Sequence, residues 1–427
     1  MSALPTSSPL VPFEKAAIAQ SDGGKRVKQR DYLADGRIPV IDQGQSPVGG
    51  YTNDEDFAFR GELPVILFGD HTRSVKLVDH RFAVGADGIK IFRPAEGVRA
   101  KYLYHWMKSA PLPDRGYGRH YQYRRQLSLP LPPPKQQDEI VGELEKQFSR
   151  LDEAVANLKR VKAKLKRQTA AIVSAAIGGE LLDRAVFQAN TDRPEFAPAI
   201  DLPSGWSWAS AAEVCEIVAS GSTPKAHEMT SGAGEVPFIK VYNLGFEGSL
   251  DFTVKPTFIR RAIHEGPLAR SRCLPGDVLM NIVGPPLGKV SLVPDAFPEW
   301  NINQAIVTFR AGSRILNRLL AYWLMAPPVQ RRIERTSKAT AGQYNVQVST
   351  CRKLVLPLPP LDEQRRIVAE VDRRLSIVRE VEAEVDANLK RAQALRQSVL
   401  ERAFSSGVRS REGDEPRARR AAVSPAA

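Results

Sequence analysis

Cysteine is scarce in this chain: three residues in 427, Cys215, Cys273 and Cys351. They are odd in number and too far apart for a pair of zinc ligands. That argues against a disulfide framework and for ordinary buried thiols in a reducing cytoplasm. Long apolar runs are also missing. No stretch of eighteen apolar residues occurs, and the opening MSALPTSSPL lacks a charged-then-apolar leader, so a soluble protein with no membrane partner is expected. One sign of charge is in short supply. Acidic residues number 48 against 61 Lys and Arg, giving a formal charge of +13 and a pI near 9.7. Such a balance suits an acidic partner such as nucleic acid, although charge alone fits a soluble protein with a basic surface equally well.

Signatures of catalysis are absent as well. The GPPLGK run at 284–289 has the wrong spacing for a phosphate-binding Walker loop and is followed by Val290. No glycine fingerprint opens a strand–helix–strand unit for a dinucleotide or adenosyl cofactor. The six histidines, His71, His80, His105, His120, His227 and His264, show no HxxxH or HxH spacing for a metal. Gly284, Pro285, Pro286 and Leu287 echo the Asn-Pro-Pro-aromatic loop of adenine methyltransferases but lack both the amide and the stacking ring. No catalytic centre, no bound cofactor and no metal site are expected.

What the chain does contain is a long internal repeat. Residues 127–181 begin LSLPLPPPKQQDEIVGELEKQF, and residues 354–408 begin LVLPLPPLDEQRRIVAEVDRRL, aligned without a gap at an offset of 227. Each copy opens with a proline-rich strip and continues for about forty residues without proline, which predicts a long helix. One apolar seam recurs every seven residues at Leu144, Leu151, Leu158, Leu165 and Ile172. The second copy carries it at Val371, Val378, Val385, Ala392 and Val399. A looser seam runs through Ile140 and Phe148, and through Ile367, Leu375, Val381, Leu389 and Leu395. So narrow a stripe needs a partner helix, and the other copy is the obvious one. A helix of roughly 60 Å is a spacer. Equivalent stripes pair most simply about a pseudo-twofold axis, which makes the helices antiparallel. With the axis near Leu158 and Val385, the basic run Lys159, Arg160, Lys162, Lys164, Lys166 and Arg167 faces Glu380, Glu382 and Glu384, and Leu144 pairs with Val399.

The remaining chain divides around these helices. A lead-in (1–12) precedes a mixed domain (13–126) with short apolar runs at 38–41, 63–68, 81–84 and 88–92 and a helical segment at 102–109. The proline strip and first helix (127–183) are followed by a polar linker (184–200). A second mixed domain (201–353) repeats the first in outline: RIPVIDQG resembles EVPFIKVYN, and ELPVILFGDHTRSVKLV resembles PGDVLMNIVGPPLGKVSLV. The second strip and helix (354–408) lead into a charged tail (409–427) expected to be disordered.

The loops of both domains are rich in the side chains that read base edges and hold phosphates. In the first they are Lys25, Arg26, Lys28 and Arg30; Gln43 and Gln45; His71, Thr72 and Arg73; and Arg115 with the interleaved aromatic and basic run Arg119, Tyr121, Gln122, Tyr123, Arg124 and Arg125. In the second they are Ser222, Thr223 and Lys225; Lys240 and Asn243; the NINQ run at 301–304; and Lys338, Gln343, Tyr344 and Asn345. Taken singly, each reads as readily as a solvated loop. Asp70 and Asn301 read as turn caps, and Gly69, Gly85 and Gly88 as backbone geometry.

These motifs, in order, resemble the specificity subunits of type I restriction-modification systems. The match rests on LPSGWSWASAAEVCEIVASGSTPK (202–225), VPFIKVYNL, GDVLMNIVG, NINQ and LPLPPLDEQRRIV (356–368), and in the first block on YLADGRIPVIDQGQ (32–45) and FGDHTRSVK (68–76). It covers residues 13–408, although the first block lacks the LPxGW opening present at 202–206. The resemblance implies an α+β chain of two target recognition domains separated by an antiparallel coiled coil. Each domain would read one half of a bipartite site in double-stranded DNA. The helices would set the spacing and dock two methyltransferase subunits. S-adenosylmethionine, ATP and Mg would reside on partner subunits, with restriction subunits supplying translocation and cleavage. The competing readings are a coiled-coil scaffold, which leaves two glycine-loop domains unexplained, and a single-chain restriction-methyltransferase fragment, which needs the cofactor loop that is missing.

Overall fold

A computed structural model describes residues 8–404 except 86–87, 114–117, 183–186, 189–192, 196, 198–199 and 341–342. The tail expected to be disordered therefore lies outside the described residues. The chain forms two compact units, 1–159 with 386–427, and 160–385. Each contains one mixed domain and a segment of both long helices, so the fold is α+β.

In the first unit, a four-stranded antiparallel sheet runs in the order Ala17–Gln20, Ile89–Pro94, Val65–Gly69, Val75–Val78. Its second strand pair explains the apolar run at 63–68. Ile66 and Phe68 pack with Phe13, Phe92, Tyr102 and Trp106 on one face, while Val65 and Leu67 pack with Phe82, Val84 and Ile91 on the other. A strand covered on both faces needs no polar alternation. A three-stranded sheet adds Gly50–Thr52, Ile38–Ile41 and Ala83–Val84, the last two parallel. The helix Ala100–Ser109 closes the core with Tyr102, Leu103, Trp106 and Met107.

The second unit reproduces this plan. Its four-stranded sheet is Cys215–Ser220, Ile306–Ala311, Val278–Asn281, Val290–Leu292. A five-stranded sheet contains the equivalent parallel pair, Val236–Ile239 with Trp300–Ile302. The buried Asp277 carboxylate is held bidentately by Arg310, at 2.9 and 2.8 Å. The cysteines are free thiols, and burial pushes each up to about 12.

Both proline strips are strands at domain edges, where a missing N–H is tolerated. Ser128–Pro130 pairs with Leu10–Pro12, inside the segment set aside as a lead-in. Val355–Leu358 pairs with Ser207–Ser210. The helices that follow are Pro134–Ile177 and Leu361–Phe404, 44 residues each. A buried glutamine in the first turns of each helix, Gln137 or Gln364, binds it to its own domain.

The tighter seam packs largely as expected. Leu144, Leu165, Ile172, Val371, Val378, Val385 and Val399 are buried, and Leu151, Leu158 and Ala392 are half-buried. Leu144 and Val399 share one core cluster. The looser seam is not continuous: Val381 and Leu395 are exposed, at 38% and 46%. A helix of 3.6 residues per turn drifts off a seven-residue repeat, and positions at the margin of the stripe rotate into solvent. The Arg396 guanidinium lies 4.7 Å from the Phe148 ring centroid and pairs with Asp152. Lys162 lies 3.8 Å from Glu382. Within the first unit, descending numbers on one helix thus meet ascending numbers on the other, so the segments there run antiparallel, and within the second unit one of the expected basic–acidic contacts is formed.

Candidate nucleic-acid interface

In the first domain, two loops are tied together at Gln43. Its backbone carbonyl accepts hydrogen bonds from Thr72 Oγ1 at 2.5 Å and Ser74 Oγ at 2.9 Å. A Cβ on Gly88, whose φ is 92°, would meet Gln43 Oε1 at 2.8 Å and His71 Cδ2 at 3.0 Å, so glycine is what lets these side chains converge. Gln43 Oε1 is buried with no partner among the described residues. Beside it Gln45 and Arg73 are exposed, with Arg73 at a φ of 60°, a conformation that costs a non-glycine residue and persists where the fold holds it. The expected Gln43, Gln45, His71, Thr72 and Arg73 are therefore brought to one place.

Other expected residues divide by their partners. Lys25 pairs with Asp56 at 3.7 Å, Arg26 with Asp22, Arg30 with Asp31 at 3.6 Å, and Arg125 with Glu14 at 2.8 Å. Their charge is partly spent inside the domain. Lys28 and Arg119 are exposed and make no ion pair among the described residues. Tyr121 is half-buried against Phe92, ring centroids 5.6 Å apart, and its backbone N–H is capped by Asp70 Oδ1 at 2.7 Å. Gln122 and Tyr123 line a separate cleft with Arg125. Arg115 lies outside the described residues. Arg124 does not take the surface position expected of it: only 1% exposed, it lies 4.6 Å from the Phe68 ring centroid. The run folds as a short helix, Tyr121–Arg124, which turns one residue inward.

In the second domain, the SGSTPK loop lies against the NINQ segment. A Cβ on Gly221 would meet the Ile302 carbonyl oxygen at 2.2 Å, so the approach requires glycine. Thr223 bonds Gln304, and Lys225 is exposed, its N–H capped by Glu228 at 2.8 Å. Asn301 is a buried structural residue, donating to Leu268 O at 3.1 Å. Asn243, expected as a base reader, is also structural. It is 2% exposed, accepts from Lys240 N and donates to Asp251 O and Val254 O, so both amide hydrogens are used within the domain and the group is buried away from a base. Tyr344 and Asn345 are exposed on a hairpin whose strands are Lys338–Thr340 and Gln343–Asn345. The side chains of Lys338 and Gln343 lie outside the described residues. No three metal-ligating side chains cluster among the described residues, and no described helix is long and apolar enough to cross a membrane.

Residues 203–387 match the family model described as the type I restriction modification DNA specificity domain. Over those residues the chain is similar to the type I specificity subunits. It is 26% identical over 287 residues to the type I restriction enzyme EcoBI specificity subunit of Escherichia coli, a match covering 65% of this chain and 57% of that one. To the EcoDI specificity subunit of Escherichia coli it is 22% identical over 335 residues, covering 72% and 70%. The chain thus spans little more than half of the first relative. A chain solved in work on complex assembly and conformational transition of the type I R-M system superposes with a TM-score of 0.63 at 18% identity, covering 95% of this chain and 99% of that one. That likeness concerns the fold.

Within the specificity domain the sequence reading passed over a second group. Arg270 donates to Ser222 Oγ at 2.8 Å. Lys289, in the GPPLGK loop, lies 5.8 Å from the ring centroid of Phe246, which is 53% exposed, with Tyr242 exposed nearby in sequence. An exposed aromatic beside a lysine puts an apolar face and a cation together at the surface. Forty-three residues separate the two, and the only sequence signal was a loop dismissed for not being a cofactor motif.

Proposed function

We propose that this chain is the DNA-reading subunit of a type I restriction-modification complex. Each domain reads one half of a bipartite double-stranded target, and the helical pair sets the separation of the halves. The observation that carries the reading is the repetition of one framework beneath unlike loops. The same sheet order and the same parallel pair recur in both units, while the convergent polar side chains differ completely. Such a pair of modules suits two unrelated half-sites, spaced near one turn of DNA, roughly 34 Å, or multiples of it. Phosphate contacts by Lys28, Arg73, Arg119 and Lys225 give salt-dependent affinity without specificity. Base readout falls to Gln43, Gln45, Tyr344, Asn345 and the Phe246–Lys289 pair.

In this reading the chain performs no catalysis. The methyltransferase subunits, docked on the helices and proline strips, bring S-adenosylmethionine and the modification chemistry; restriction subunits bring ATP- and Mg-dependent translocation and cleavage, and the complex works in the cytoplasm. Selection of duplexes bound by the assembled complex from a randomised pool is the test. Two short conserved blocks at fixed separation are expected, and a single uninterrupted motif would contradict the reading.

A further inference from the structure

Among the described residues Arg124 is buried without a counter-ion. Neither its Nε nor its Nη1 has a hydrogen-bond partner among them, and 1% of the residue is exposed. Burial pushes its pKa down to about 9, with no carboxylate acting in the opposite direction. The face of the Phe68 ring at 4.6 Å offsets only part of the cost of desolvating a guanidinium. A buried cation in this condition points to an anion that completes it.

The surroundings have room for one. Arg124 lines a cleft of about 500 Å³ with Gln45, Arg73, Lys76, Lys108 and Gln397. No Asp or Glu lines the cleft among the described residues. Lys76 is already answered, its ammonium 3.6 Å from Asp42. Lys108 is not: its ammonium donates to the Tyr104 hydroxyl at 3.2 Å and lies 5.2 Å from the centroid of that ring. The cleft therefore offers a buried fork of donors with further cations at its mouth, the arrangement that suits a planar-fork contact to phosphate oxygens. The 227-residue offset of the repeat places Cys351, a buried neutral thiol, where the first domain has Arg124. The feature belongs to the first domain alone.

We propose that this cleft is a phosphate-binding site, with Arg124 at its floor and Arg73 and Lys108 at its rim. Its occupant is a phosphate group, either the free anion or a backbone phosphodiester of bound DNA. The site stands on the first domain's own geometry, so its test does not depend on DNA recognition.

The experiment is thermal unfolding of the full chain at constant ionic strength, with chloride replaced stepwise by inorganic phosphate. Wild type gains about 3 °C, saturably. Arg124→Met loses the gain, and its Tm in chloride equals or exceeds wild type, because the uncompensated charge is gone. Should that variant fail to fold, Lys108→Met at an exposed position shifts the phosphate midpoint at least threefold; an unchanged midpoint there overturns the site. A wild type indifferent to phosphate, or an Arg124→Met protein that keeps the full gain, also overturns it. Phosphorus NMR then separates the sources. Duplex DNA restores a sharp line for free phosphate if a strand's own phosphate takes the cleft, and leaves the line broadened if the site serves the free anion.

Discussion

Gln137 and Gln364 stand 227 residues apart and make the same three hydrogen bonds. Gln137 Oε1 accepts from Arg99 N at 2.8 Å, and its Nε2 donates to Gly97 O at 2.9 Å and Pro132 O at 2.8 Å. Gln364 Oε1 accepts from Leu316 N at 2.9 Å, and its Nε2 donates to Arg314 O at 2.9 Å and Pro359 O at 2.8 Å. Both side chains are 0% exposed. Each amide therefore joins three segments: the loop before a domain helix, the proline strip, and the long helix itself.

Replacing either glutamine with alanine leaves buried backbone groups unsatisfied and should cost about 1–3 kcal/mol. Urea unfolding of Gln137→Ala and Gln364→Ala measures it. A change below the noise in both would mean that the strips are held by strand pairing alone.

His105 makes the first unit sensitive to acid. Burial pushes its pKa down to about 4, opposed in part by Glu145, 3.9 Å away. The unfolded residue titrates near 6.5. Between those values the unfolded chain binds a proton that the folded chain does not. Stability is therefore fully present above pH 6.5 and falls as the pH drops toward 4, by about 3 kcal/mol at most. His105→Phe should flatten this part of the pH–stability curve, measured by denaturant midpoint from pH 4 to 7; an unaltered slope would assign the acid sensitivity elsewhere.

The proposed function assigns Arg73 to a backbone phosphate rather than to a base. Arg73→Ala should weaken binding to all duplexes alike and reduce the slope of log K against log salt by about one. Titrations at several salt concentrations check this. Loss confined to one sequence would move Arg73 into the base-reading group.

Adding one helical turn to both long helices, at 158 and 385, should change the spacing between half-sites and leave the bases within each half unaltered. Sequencing of selected duplexes reads both properties at once. A change of bases without a change of spacing would contradict the role given to the helices.

The features legible in the sequence were those with a local period. The heptad seam gave the two helices, and the apolar runs at 38–41 and 88–92 coincide with the strands Ile38–Ile41 and Ile89–Pro94. Features that depend on distant partners were hidden. The strand Leu10–Pro12 forms only because Ser128–Pro130 lies beside it. Arg124 reads as a surface cation among aromatic and basic neighbours until a single helical turn puts it beneath Phe68. Asn243 has the composition of a reader and the bonding of a turn.

Exchange of residues 201–353 for the corresponding block of a different specificity subunit, followed by mapping of methylated adenines in host DNA, tests the central claim most directly. Modular reading predicts that one half of the methylated sequence changes while the other half and the spacing persist. A change in both halves, or in neither, would contradict it.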